Sequence, residues 1–216
     1  MFYPIYLNLK GRRVVVIGGG EVAERKTESL LDTGASITVI SPDVTPRLAS
    51  LANAKRIELH RRGYVRGDCK EAALVLSATD DPEVSRAVWE EAKAGDILVN
   101  TADVPALCDF IMPAVIRRGE LTIAISTGGT SPALASRLKE ELSQVLGPEY
   151  ELLLELLARV RPEIQQRIQD ERARKALHYR ILDSDVIALL QQNDSDAAAR
   201  RLREIIEDFA CQERTT

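Results

Sequence analysis

Three consecutive glycines, Gly18-Gly19-Gly20, stand between the apolar run Val14-Val15-Val16-Ile17 and Glu21-Val22-Ala23, where a helical pattern begins. Glycine lets a backbone turn tightly and lets phosphate oxygens approach. The amino end of a helix adds free N–H groups and a partial positive charge. Gly18, Gly20 and Ala23 read as G-x-G-x-x-G/A, a pattern that gains its weight from a strand before it and a helix after it. A second apolar run, Ile37-Thr38-Val39-Ile40, follows at the distance of a βαβ unit. The chemistry indicated is capture of a dinucleotide pyrophosphate; the competing reading is a glycine turn with no ligand.

In an open α/β sheet, ligands bind beyond the carboxyl ends of the strands. Besides the glycine loop, three segments fall there: Ser41-Pro42-Asp43, Ala78-Thr79-Asp80-Asp81 and Asn100-Thr101-Ala102-Asp103. Ser41 occupies the place where a dinucleotide site carries an acid for the adenosine ribose, and Asp43 comes shortly after it. No arginine stands beside them to take a 2′-phosphate, which favours NAD over NADP. Asp103 follows the fifth strand, where a nicotinamide ring lies if the dinucleotide is laid across the sheet. A carboxylate there can accept a proton while hydride leaves for the cofactor; the spacing equally allows an Asp that caps a turn ahead of Pro105. Asp80 and Asp81 precede Pro82, so one of them is expected to cap a helix. His60 and His178 are isolated, and no residues cluster as metal ligands.

A second constellation is Ser126-Thr127-Gly128-Gly129-Thr130-Ser131-Pro132. Two glycines flanked by hydroxyls and opening into a helix make an anion site from backbone N–H groups. An ordinary capped helix start needs only Ser131 and Pro132. The remainder points to a substrate carboxylate or a partner subunit.

These residues need a scaffold, and the hydrophobic pattern supplies one. Strands are expected at 14–17, 37–40, 57–60, 74–77 and 97–100, with helices at 22–33, 46–51 and 82–94. Gly34 and Gly95 close two of those helices. Continuous apolar strands indicate a parallel sheet covered on both faces, and Ile5-Tyr6-Leu7 is a candidate edge strand. A further strand is expected at 121–125 and a helix from Ser131 to about residue 146. Only helices follow, at about 150–160, 162–182, 185–192 and 196–210. A helical tail of this length is expected to pack on the first domain, on a second subunit or on both.

The chain has 216 residues and a net charge of −4, which argues against generic nucleic-acid binding. No apolar run reaches the ~20 residues of a membrane span. Met1-Phe2-Tyr3-Pro4 lacks the basic start and apolar core of a secretory signal. A cytoplasmic enzyme is the expectation. Cys69, Cys108 and Cys211 are far apart and odd in number, as reduced thiols would be.

In order, the chain carries Gly18-Gly19-Gly20-Glu21-Val22-Ala23-Glu24-Arg25-Lys26, Ala78-Thr79-Asp80-Asp81, Asp103 ahead of Phe110-Ile111-Met112-Pro113, and Gly128-Gly129-Thr130-Ser131-Pro132. This series resembles the precorrin-2 dehydrogenase/sirohydrochlorin ferrochelatase family, the N-terminal half of siroheme synthases. The resemblance is specific over about residues 1–150 and general in the helical tail. It implies NAD-dependent oxidation of precorrin-2 to sirohydrochlorin by a homodimer, followed in many members by insertion of Fe²⁺ as a substrate. It places the family's aspartate at Asp103 and its dinucleotide contacts at Glu21, Val22, Pro42 and Asp43 beside the glycines. Thr127 and the G-G-T-S-P segment would border the tetrapyrrole. A substrate with many carboxylates needs basic neighbours, for which Arg117, Arg118, Arg137 and Lys139 are candidates; a solvated face is the alternative. The expected architecture is a Rossmann-type α/β sheet at 1–112, a dimerisation segment at 113–148 and a small all-helical domain at 149–216. A non-catalytic dinucleotide-sensing module would share the βαβ unit, but would leave the joint presence of Asp103, F-I-M-P and G-G-T-S-P unexplained.

Overall fold

Five aliphatic runs form one parallel sheet: β1 (Arg13–Ile17), β2 (Ser36–Ile40), β3 (Glu58–His60), β4 (Leu74–Ser77) and β5 (Leu98–Thr101). The computed structural model describes residues 2–213 and divides into two compact units, the first ending at Ile111 and the second beginning at Met112. The strand order is β3-β2-β1-β4-β5. The chain therefore reverses its direction of travel across the sheet between β1 and β4, which opens a crevice at their carboxyl ends. Register keeps those ends level: Ile17 lies opposite both Ile40 and Ser77, and Ser77 lies opposite Thr101.

Side chains alternate along each strand, and here both faces are covered. Val14 and Val16 join Ala23 and Leu30 of α1 (Glu21–Leu30) and Leu48 of α2 (Pro46–Asn53) in one core. Val15 and Ile17 join Val88 and Ala92 of α3 (Pro82–Ala94) in another. Helix α1 runs into a short 3-10 turn that ends at Gly34, whose φ of +71° is left-handed. After α3 the left-handed residue is Asp96, φ +54°, and Gly95 stays at −100°. Residues 5–7 form no strand. Their side chains are exposed, so the sheet ends at β3 and β5.

Glu91 of α3 pins the loop that leads to β4. Its carboxylate accepts from the backbone N–H groups of Gly67 and Cys69, each at 2.8 Å, and from the Tyr64 hydroxyl. Burial pushes this carboxyl up, but the three donors more than offset it and leave it below its ordinary value of 4.5. The same burial and the Glu91 charge push the Cys69 thiol up to about 12. A depressed carboxyl stabilises the fold above its unfolded pKa, and that stabilisation is lost as pH falls through the folded value. Glu91→Ala should cost about 1–3 kcal/mol at pH 7 by leaving the Gly67 and Cys69 amides without their acceptor, read from urea midpoints. The gap from the parent should narrow in acid.

The second unit begins with a hairpin, β6 (Ala114–Arg118) and β7 (Leu121–Ile125), paired antiparallel. Only β7 was expected; β6 ends on the charged pair Arg117 and Arg118. Helix α4 (Pro132–Val145) starts where Ser131 accepts a hydrogen bond from Leu134 N–H at 3.2 Å. The helices α5 (Glu149–Arg167), α6 (Glu171–Leu182), α7 (Val186–Gln191) and α8 (Ser195–Glu213) follow. Pro162 was expected to open a helix, yet it lies inside α5. Leu153, Ile164 and Ile168 share one buried core with Leu177, Leu190 and Leu202, and that packing overrides the proline. The break comes later, where Asp170 caps α6 by accepting from Ala173 N–H at 2.7 Å. The helical tail thus has an apolar core of its own.

Candidate active site

The glycine loop is shaped first by the protein itself. Gly18 has a φ of +115°, and a Cβ on it would meet the Ala78 carbonyl oxygen at 2.1 Å. A Cβ on Gly19 would meet the Asp43 carbonyl oxygen at 2.0 Å. Gly20 differs, since a Cβ there would meet nothing within 4 Å. It is the N-cap of α1 and brings no side-chain hydrogen bond to the first turn, so no cap side chain occupies the amides that begin the helix. That combination suits a pyrophosphate. Ala23 is fully buried and holds α1 against the sheet, the role of the third small residue in such loops.

Ser41 is buried, and its hydroxyl donates to the Asp43 carbonyl at 2.7 Å. It shapes the loop, while Pro42 and Asp43 are exposed at its tip. Thr45 N–H donates to Gly19 O at 3.0 Å and ties this loop to the glycine loop. Thr79 Oγ1 accepts from Asp81 N–H at 3.2 Å. Of the two candidate capping acids it is Asp81 that caps α3, accepting from Glu83 and Val84 N–H.

Asp103 is exposed, with φ at +58°, on a loop that leaves β5. It stands two strands from β1, roughly 10 Å across the sheet by ordinary strand spacing. The loop closes on itself at its base. Asp109 N–H donates to Val99 O at 2.8 Å, and its carboxylate takes Val99 N–H at 3.1 Å and pairs with Lys93. Thr101 Oγ1 donates to Leu107 O at 3.1 Å. The Cys108 thiol donates to Thr101 O at 3.1 Å and accepts from Thr101 N–H at 3.2 Å. Asn100, only 7% exposed, donates through Nδ2 to Phe110 O at 2.8 Å. Its Oδ1 accepts from Lys26 Nζ of α1 at 2.6 Å.

Sequence reasoning gave no role to Lys26 or Asn100. A polar amide at the inner end of an apolar strand was the available signal for Asn100; nothing local marked Lys26.

In the second unit, Thr127 Oγ1 donates to Ser131 O at 3.0 Å and accepts Ser131 N–H at 3.1 Å. Gly128 and Gly129 are left-handed, at φ +65° and +87°, and no atom would meet a Cβ on either. Gly128, Gly129 and Thr130 are exposed, and Ser131 caps α4. Two of the basic candidates have partners within the unit. Arg118 donates to the Leu146 and Ser143 carbonyls at the end of α4, and Arg137 pairs with Glu141. Arg117 and Lys139 are exposed. Among the described residues no group of three His, Cys, Asp or Glu side chains could hold a metal ion, and no helix is long and apolar enough to cross a membrane.

Three family models match the chain in succession. Residues 5–114 match a putative NAD(P)-binding family, residues 118–144 a sirohaem biosynthesis protein central region, and residues 149–206 a sirohaem synthase dimerisation region. The siroheme synthase of Methylococcus capsulatus is 37% identical over 213 residues, 99% of this chain and 45% of that protein. That of Thioalkalivibrio sulfidiphilus is 37% identical over 206 residues, 95% of this chain and 42% of that protein. The chain therefore spans less than half the length of these curated relatives. A solved structure described as SirC, precorrin-2 dehydrogenase, superposes with a TM-score of 0.76 at 29% identity, covering 94% of this chain and 100% of that one. With a parallel sheet, an open glycine cradle and these matches along nearly its whole length, the chain belongs to the precorrin-2 dehydrogenase/siroheme synthase family.

Proposed function

We propose that this protein is an NAD-dependent dehydrogenase that oxidises precorrin-2 to sirohydrochlorin. One juxtaposition carries the reading: Asp103 projects from the loop after β5, level with the open cradle of Gly20 at the carboxyl edge of the same sheet. Bound NAD⁺ supplies a hydride acceptor. Gly18, Gly19 and Gly20 with the amides of Glu21, Val22 and Ala23 hold the pyrophosphate. Pro42, Asp43 and Thr79 border the dinucleotide, and Ser41 sets the position of Asp43. Asp103 takes the proton that leaves a ring CH as the neighbouring carbon gives up hydride, then passes it to water. The hydride carries both electrons to the coenzyme and the remaining proton goes to Asp103, so the C–C bond becomes a double bond without a further oxidant.

Thr127, Gly128, Gly129, Thr130 and Ser131 are assigned to the substrate carboxylates. Chelation is the natural second step. Fe²⁺ would enter as a substrate and two pyrrole N–H protons would be lost in succession, Asp103 accepting each in turn and releasing it to water. The working state is a cytoplasmic homodimer, with the second unit, both the 113–148 segment and the helices after it, supplying the dimer contacts.

An anaerobic assay tests this. Precorrin-2 with NAD⁺ should give NADH absorbance together with the sirohydrochlorin spectrum, and later addition of Fe²⁺ should shift that spectrum faster than the spontaneous rate. NAD⁺ binding without any tetrapyrrole oxidation would instead favour the dinucleotide-sensing module. An unaccelerated metal step would limit the protein to dehydrogenation.

A further inference from the structure

We propose that Lys26 is a positioning residue that holds the Asp103 loop in its reactive arrangement by clamping Asn100 from the helix of the glycine loop. This rests on the assignment of Asp103 as proton acceptor. Lys26 has three donors and no acceptor, so it fixes which end of the Asn100 amide faces it. With Oδ1 held by Nζ at 2.6 Å, Nδ2 must point toward Phe110 O, 2.8 Å away, and toward Cys108 Sγ, 3.5 Å away. Those contacts, with Thr101–Cys108 and Thr101–Leu107, zip the two feet of the loop and leave Asp103 near its tip. Remove the ammonium and the buried amide is free to turn over. Its oxygen would then face the Phe110 carbonyl, acceptor against acceptor, and the zip loses its central tooth.

The surroundings of Lys26 agree. Burial lowers its proton affinity below the ordinary 10.5, opposed by the nearby Cys108 and Asp103 and assisted by Arg25. An ammonium kept at that cost, about one and a half turns along the helix that begins at the cradle, links the cofactor loop and the acid loop through one side chain.

Two readouts separate this role from others. In steady-state assays, Lys26→Met should lower kcat about 10- to 100-fold through misplacement of Asp103. Its Kd for NAD⁺, from fluorescence titration, should stay within about threefold of the parent. Amide hydrogen exchange across residues 101–110 should speed up roughly tenfold in Lys26→Met, with other segments unchanged. Lys26→Arg, which keeps donor and charge, should recover most of both losses. The proposal is overturned if Lys26→Met leaves exchange in that loop unaltered. It is also overturned if NAD⁺ affinity falls in step with kcat, since Lys26 would then be a cofactor contact. Should the parent protein fail to oxidise precorrin-2, the proposed function falls by itself, and the exchange comparison still decides what Lys26 does.

Discussion

Asp103→Asn should lose about 10²- to 10⁴-fold in kcat for precorrin-2 oxidation, the usual worth of a positioned general base. NAD⁺ affinity should be unchanged. Asparagine is the informative replacement because of the backbone. At φ +58° a side chain outside the Asn, Asp and Gly group is strained, so alanine would mix chemistry with loop distortion. Asn keeps the shape and the left-handed conformation and removes only the ability to accept a proton. The measurement is NADH formation under anaerobic conditions beside a thermal melt of each protein. A variant that kept a tenth or more of the parental rate would remove Asp103 from the mechanism and leave it as a turn residue.

The second large effect lies in the glycine loop, where neighbouring positions should both lose NAD⁺ affinity and differ in stability. Gly19→Ala places a methyl 2.0 Å from the Asp43 carbonyl oxygen and 2.8 Å from Ser41 Oγ. Backbone must move, and overpacking of this kind costs about 1–3 kcal/mol. Both stability and NAD⁺ binding should fall. Gly20→Ala meets no atom and sits at φ −80°, so its unfolding midpoint should match the parent. Its NAD⁺ affinity should nevertheless drop by tenfold or more, because the new methyl fills the space through which phosphate approaches the amides. Equal NAD⁺ affinity in parent and Gly20→Ala would mean that this cradle is not where the dinucleotide binds. Calorimetric titration beside urea denaturation reads both variants.

Much of this was legible in the chain because the sheet is apolar on both faces. Val14-Val15-Val16-Ile17 cannot be mistaken for a half-solvated strand, and the glycines that follow leave few alternatives. The hairpin strand β6 escaped notice because its last two residues are arginines, one of which turns out to hold the end of α4. Pro162 misled for a related reason: local preference argued for a break, and a shared helical core outweighed it. Among the candidate site residues, Asp103 and the glycines are marked by their position after strands. Lys26 and Asn100 are not, since they are 74 positions apart and only the crossover of α1 over the sheet brings ammonium to amide. Ser41 stands after β2 where a ribose-binding acid is usual, and its hydroxyl donates to the Asp43 carbonyl inside its own loop.

The close approach of Gly18 to Ala78 has a bearing on how the sheet assembles. Because β1 buries Val14 and Val16 in one layer and Val15 and Ile17 in the other, sliding it one step along β4 would send each side chain into the core shaped for its neighbour. The close approach at position 18 belongs to that alignment, since a Cβ there would meet the Ala78 carbonyl oxygen at 2.1 Å. A descendant that had given up its coenzyme altogether would still need a residue without a side chain there, simply to line up its strands.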